Sequence, residues 1–263
     1  KSTVDIRDKK IKNLIREAVL IVEYWIDFFE NNNDQGVSLS HPNTRFLAII
    51  GKIANLSSIP VFSITNTYLN KNMNLNNHFE YIRNNYLINK NLFSQLNAQT
   101  KKNAIEWSKK RLNLRLSGSV GVDMHYTNET AFHKSYSKRI LKKTEKKKAL
   151  ICTHEFYDDP NYTGGLLFAD FWEWLIFIGE KSKNSNCEWY LKNHPDADKW
   201  TKEVINEFLQ KFKHISLIDE RSSFLQLKEE GLSYVFTAHG TVGHECPLLG
   251  IQVINADLNH PHM

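Results

Sequence analysis

Four polar runs in the second half of the chain each follow a stretch that reads as a β-strand. They are Thr153-His154-Glu155-Phe156-Tyr157-Asp158-Asp159-Pro160, Asn193-His194-Pro195-Asp196, Asp219-Glu220-Arg221-Ser222-Ser223 and Ala238-His239-Gly240-Thr241-Val242-Gly243-His244-Glu245. In the last run a glycine lets the backbone approach a ligand closely, and amides at the start of the following helix attract a phosphate. Glu245 falls about one turn inside that helix, where a carboxylate can accept hydrogen bonds from ribose hydroxyls. The plainer alternative makes Thr241 an N-cap and Glu245 a residue favoured by the helix dipole. His194, followed by Pro195, can meet the phosphate of a leaving group and stabilise the charge that develops there. Asp158 and Asp159 carry the chemistry of a general base or a nucleophile at an electrophilic carbon, although Asp-Asp-Pro-Asn is also good turn chemistry. Asp196-Ala197-Asp198 has the DxD form of a metal-dependent sugar site, yet it precedes a helix, which favours N-capping.

These residues need elements to hold them. From 149 onward short strands and helices alternate: strands at 149–153, 188–192, 215–218, 234–237 and 252–255, helices at 165–179, 199–212, 222–230 and 242–249. Five strands separated by helices imply a parallel sheet covered on both faces, with ligands beyond the carboxyl ends of its strands. The first half is less clear. Apolar residues at helical spacing fill 9–30. Strands are expected at 37–40 and 59–64, and helices at 45–54, 78–87 and 100–112. Between the halves, residues 134–148 hold eight lysines and arginines and one acid, Glu145. This basic stretch reads as a linker, with docking on an anionic phospholipid surface as the second reading. The domains are accordingly expected at 1–145 and 146–263.

Bulk properties set the outer limits. The chain has 263 residues, 41% hydrophobic and 24% charged, in the range of a folded globular protein. A net charge of +5 favours anionic ligands, but basic residues clustered at 134–148 without interleaved aromatics beyond Tyr136 argue against nucleic acid. Three scattered cysteines, Cys152, Cys187 and Cys246, suit neither a disulfide framework nor a zinc site, so a reducing cytoplasm is expected. The start at Lys1 and the end soon after a strand-like run read as a piece trimmed from a longer protein.

In order and content these runs resemble the bacterial surface-polysaccharide glycosyltransferases of the capsule-synthesis type, including the β-Kdo transferases. The matching stretches lie within 149–257: Thr153-His154-Glu155 with Phe168-Ala169-Asp170-Phe171-Trp172-Glu173, then Lys192-Asn193-His194-Pro195, then Ala238-His239-Gly240-Thr241 and Glu245. Where the family more often has Lys-Pro-His-Pro, this chain has Lys192-Asn193-His194-Pro195. The resemblance implies a GT-B-like α/β fold, two Rossmann-type domains with parallel sheets facing a cleft, the first shortened. It implies a nucleotide-sugar donor, CMP- or UDP-linked, bound by His194, Pro195, His239, Gly240, Thr241 and Glu245. Asp158, or Asp159 in its place, would act at the anomeric carbon without a metal or other cofactor. The acceptor would be a capsule or lipopolysaccharide glycan, free or lipid-linked, at the inner face of the cytoplasmic membrane.

Two other readings stay open. A UDP-sugar epimerase or hydrolase of the same fold would act without an acceptor. A non-catalytic paralogue would bind glycan or a protein partner and tolerate loss of Asp158.

Overall fold

The computed structural model describes residues 7–33, 36–40, 45–64, 69–70, 89–122, 128–134, 136, 138–156 and 166–258. The chain forms two compact units, Lys1–Asn85 and Tyr86–Met263.

In the first unit the long helix α1 (Lys9–Asn31) starts at Asp8, whose carboxylate accepts the Lys10 N–H at 2.7 Å. Strand β1 (Val37–Leu39), helix α2 (Arg45–Leu56), strand β2 (Val61–Ile64) and the short β3 (Leu69–Asn70) follow. β1 pairs parallel with β2, and β3 adds antiparallel to β2. Val22, Trp25 and Phe29 of α1, at helical spacing, close over Leu39, Ile53, Ala54 and Val61 as a small core. The helix expected at 78–87 lies outside the described residues.

In the second unit helical residues 89–95 precede α3 (Ala98–Leu116), which is capped by Asn97, whose side chain accepts the Thr100 N–H at 2.8 Å. Its sheet contains β4 (Lys147–Cys152), β5 (Cys187–Lys192), β6 (Ile215–Ile218), β7 (Leu232–Thr237) and β8 (Gln252–Asn255). All pairs are parallel, and the spatial order is β6-β5-β4-β7-β8. Counted from the first strand of this sheet, that is 3-2-1-4-5, the winding of a Rossmann-type unit. Ala149, Leu150 and Ile151 of β4 are fully buried, as a central strand covered on both faces requires.

The two faces are wound by different helices. Helix α4 (Phe171–Ser182) and α5 (Lys199–Lys211) cover one, burying Trp174, Leu175, Ile205 and Phe208 with Phe212. The other is covered by α6 (Phe224–Glu229), by α7 (Val242–Glu245) running into a 3-10 turn (Cys246–Leu249), and by Phe132 and Leu141 from the chain ahead of β4. Pro247 lacks an amide proton for the i→i−4 ladder, so α7 tightens to 3-10 where a longer helix was expected. Helix α4 starts later than expected because Asp170 caps it: its carboxylate accepts the Glu173 N–H, and Glu173 accepts the Ala169 N–H, each at 2.8 Å.

The compact units divide well before the expected 145/146 boundary. The lysine-rich stretch does not stand off as a linker. Leu141 is buried, the amides of Ile140 and Leu141 donate to the Glu230 carboxylate, and the Lys142 amide donates to the Tyr190 hydroxyl. Lysines flank this packed segment without preventing burial, because two apolar side chains and one satisfied carboxylate anchor it. Among the described residues no helix is long and apolar enough to cross a membrane.

Candidate functional site

Winding outward from β4 to β6 and then back to β7 leaves a switch point between β4 and β7, where crevices form at the carboxyl edge. Residues 153–156, 193–196 and 238–245 emerge there from the adjacent strands β4, β5 and β7. Neighbouring strands lie about 4.8 Å apart, so the His194 turn and the Gly240 turn share one rim. Asp158 and Asp159 lie outside the described residues.

At the switch point His154 ties the first and last runs together. Its Nε2 accepts the His239 N–H at 3.0 Å, and its ring stacks on Phe171 at 5.0 Å between centroids. The next amide, that of Gly240, donates to the Thr237 hydroxyl at 3.0 Å. A Cβ on Gly240 would sit 2.7 Å from that same oxygen, so the glycine is required by close approach. Gly243, His244 and Glu245 donate back into the turn. Within residues 239–245 the amides with no partner among the described residues are those of Thr241 and Val242. A phosphate would therefore be met by these two rather than by Gly240. Thr241 makes no side-chain cap, so its hydroxyl is not spent as the capping alternative required. Helix α7 is only four residues long, and its dipole adds little.

Glu245 is only 5% exposed and forms a tight ion pair with Arg115 of α3, which also donates to the Val122 carbonyl at 3.2 Å. Burial pushes the Glu245 carboxyl above its ordinary value, while Arg115 and then Lys192 oppose that shift. The carboxylate expected to meet a ribose is thus already engaged by a cation that no sequence pattern linked to it. An open depression of about 310 Å³ along Gly243, Pro247, Gln252 and Asn255 meets this turn only at Gly243.

His239 places Nδ1 3.5 Å from the Asp257 carboxylate, which follows β8 and is 1% exposed. Burial lowers the imidazole's pKa, and Asp257 partly restores it. Just after β5, the His194 Nδ1 accepts the Asp196 N–H at 3.2 Å within a turn closed by the Ala197 amide on the His194 carbonyl. With Nδ1 accepting that bond, a neutral ring carries its proton on Nε2, which is then a donor. Pro195 is exposed at the corner of this turn.

The DxD run has a structural role here. Asp198 caps α5 by accepting the Thr201 N–H at 2.6 Å, and Asp196 is exposed. Glu155 is bound to the same helix start, accepting the Asp198 N–H at 3.0 Å and the Thr201 hydroxyl. The sequence reading assigned no role to Arg115, Lys192 or Asp257 and did not show the orienting role of His154. Asp257 follows the fifth strand and could have been sought by the rule that found the others. Arg115 could not, because it stands 130 positions from its partner.

The five parallel strands and their helices define an α/β protein whose second unit is of Rossmann type. No family model matches the chain, and no curated protein does. Two solved structures are similar to it in outline. One is the β-Kdo 2,4 transferase KpsC of Thermosulfurimonas dismutans, with 12% identity, a TM-score of 0.46, and coverage of 86% of this chain and 81% of that one. The other is the UDP-GlcNAc 2-epimerase of Neisseria meningitidis bound to UDP-GlcNAc, with 15% identity, a TM-score of 0.30, and coverage of 91% and 63%. At this distance neither likeness passes a substrate to this chain.

Proposed function

We propose that this chain binds a nucleotide sugar at the carboxyl edge of its second sheet and transfers the sugar to a glycan acceptor without a metal. The observation that carries this reading is the 3-2-1-4-5 parallel order, which sets the His194 turn and the Gly240 turn on one rim at the switch point. The Thr241 and Val242 amides and the His194 Nε2–H are the donors offered to phosphate oxygens. They would stabilise the charge left on the nucleotide as the glycosidic bond breaks. Asp158, with Asp159 as its substitute, is assigned the base or nucleophile at the anomeric carbon from the sequence pattern alone. A cytidine or uridine nucleotide, an acidic sugar such as Kdo, and a surface-glycan acceptor at the inner membrane face are the finer parts of this proposal.

Calorimetry with CMP, CDP, UMP and UDP in the presence of EDTA tests it. Binding of at least one nucleotide without divalent metal is expected, and no binding of any of the four ends the proposal. Asp158→Asn is expected to abolish transfer with folding intact. Turnover of a UDP-sugar by the wild-type protein with no acceptor present would turn the assignment toward an epimerase or hydrolase.

A further inference from the structure

Lys192, the last residue of β5, is 6% exposed and sits on the sheet face shared with Cys152, Phe224 and Cys246. Burial lowers the pKa of its amine. Its Nζ makes no hydrogen bond or ion pair among the described residues; its near contact is the Phe224 ring, 5.4 Å to the centroid. The carboxylates that interact with it do so at longer range, without contact. Glu245 is paired with Arg115, Glu220 with Lys202 at 3.2 Å, and Asp219 accepts the Arg221 N–H at 2.7 Å. The contrast with Lys148, equally buried at the opposite end of the sheet, is informative. That amine reaches the Thr144 carbonyl at 3.5 Å.

A buried cation with no counter-ion in contact among the described residues is unfavourable unless something supplies one. The surroundings point the same way. The Thr153 and Ser222 hydroxyl oxygens and the Asn193 Oδ1 are buried and lack hydrogen-bond partners. Thr153 donates its amide to the Lys192 carbonyl, Asn193 is the next residue, and Ser222 closes the turn that carries Asp219 and Glu220. Unsatisfied buried groups of this kind mark the carboxyl edge of the sheet as a place where a ligand can complete the structure. An ammonium suits a tetrahedral oxyanion, and this one lies at the carboxyl edge, two residues before His194.

We infer that Lys192 is a second phosphate-binding cation of this site, contacting the phosphoryl group of the nucleotide beneath the His194 and Gly240 turns. This deepens the nucleotide-sugar reading and rests on it for the nucleotide, but not for the oxyanion.

The test uses the full chain and its variants K192M and K192Q, each checked for folding by circular dichroism. Titrations are made with CMP, UDP, cytidine, uridine and inorganic pyrophosphate. Both variants are expected to lose about tenfold or more in affinity for the phosphate-bearing ligands while nucleoside binding is unchanged, with K192R recovering part of the loss. Equal affinity in wild type and variants overturns the inference, as does equal weakening of nucleotides and nucleosides. If wild type binds no nucleotide, the nucleotide-sugar reading falls and pyrophosphate decides this one. A thermal shift by pyrophosphate that disappears in K192M supports it, and no shift in the wild type overturns it.

Discussion

Arg115 and Glu245 show how a single buried contact can define a site. Their side chains are 16% and 6% exposed, so neither charge can turn to water if its partner is removed. Arg115→Ala should therefore destabilise the protein by about 3–5 kcal/mol in urea unfolding, with Arg115→Ala/Glu245→Gln recovering part of it. An effect within the range of a surface pair would mean that the carboxylate is solvated after all. Gly240 offers a second case. Alanine there forces its Cβ against the Thr237 hydroxyl, an overpacking of about 1–3 kcal/mol that also breaks the Gly240 N–H bond. A Thr237→Ala background should relieve most of that clash, and a double-mutant cycle measures the coupling. Additive effects would show that the two positions do not touch.

At the scale of elements, the turns are held by helix starts as much as by strands. Asp198 caps α5 and Glu155 braces the same end, so β4's following run is anchored on the helix that carries the His194 turn. Asp198→Ala is expected to lower stability by about 1 kcal/mol while leaving nucleotide affinity, measured with and without divalent metal, unchanged. A metal-dependent loss of affinity would restore the DxD reading. The helix α7 teaches the reverse lesson. Its four residues and 3-10 continuation leave two amides without a partner among the described residues and supply little dipole, so the anion binding proposed for it rests on geometry rather than length.

Across the whole molecule the buried ionisable groups give stability a pH profile. The folded pKa of His239 lies below the ordinary 6.5, so the unfolded chain binds its proton first. Its contribution is complete above 6.5 and is lost as pH falls through that value toward the folded pKa. Melting temperature should fall over this window in the wild type and less in His239→Gln. Equal slopes would show that His239 is not the group responsible. Glu245 has the opposite sign, because its raised pKa favours the protonated folded form and its penalty is relieved on acidification. Cys152, pushed up to about 12, stays a thiol throughout. The two units differ in organisation as well: the second is a wholly parallel sheet with two packed faces, whereas the first is a three-stranded mixed sheet under two helices.

The alternation of apolar runs with helical patterns was enough to specify the second sheet, since periodicity reports which faces must leave water, and β6 and β8 begin and end where the pattern places them. It also brought out His194 and the Gly240 turn as polar residues at strand ends. Tertiary structure alone decided which groups meet. Arg115 reaching Glu245, His154 holding the His239 amide, Lys192 packed beside Phe224 with no ion pair among the described residues and the basic stretch packing around Leu141 all depend on contacts between segments remote in sequence. Local spacing carries no information about such contacts, because they are set by how covered sheet faces close in three dimensions.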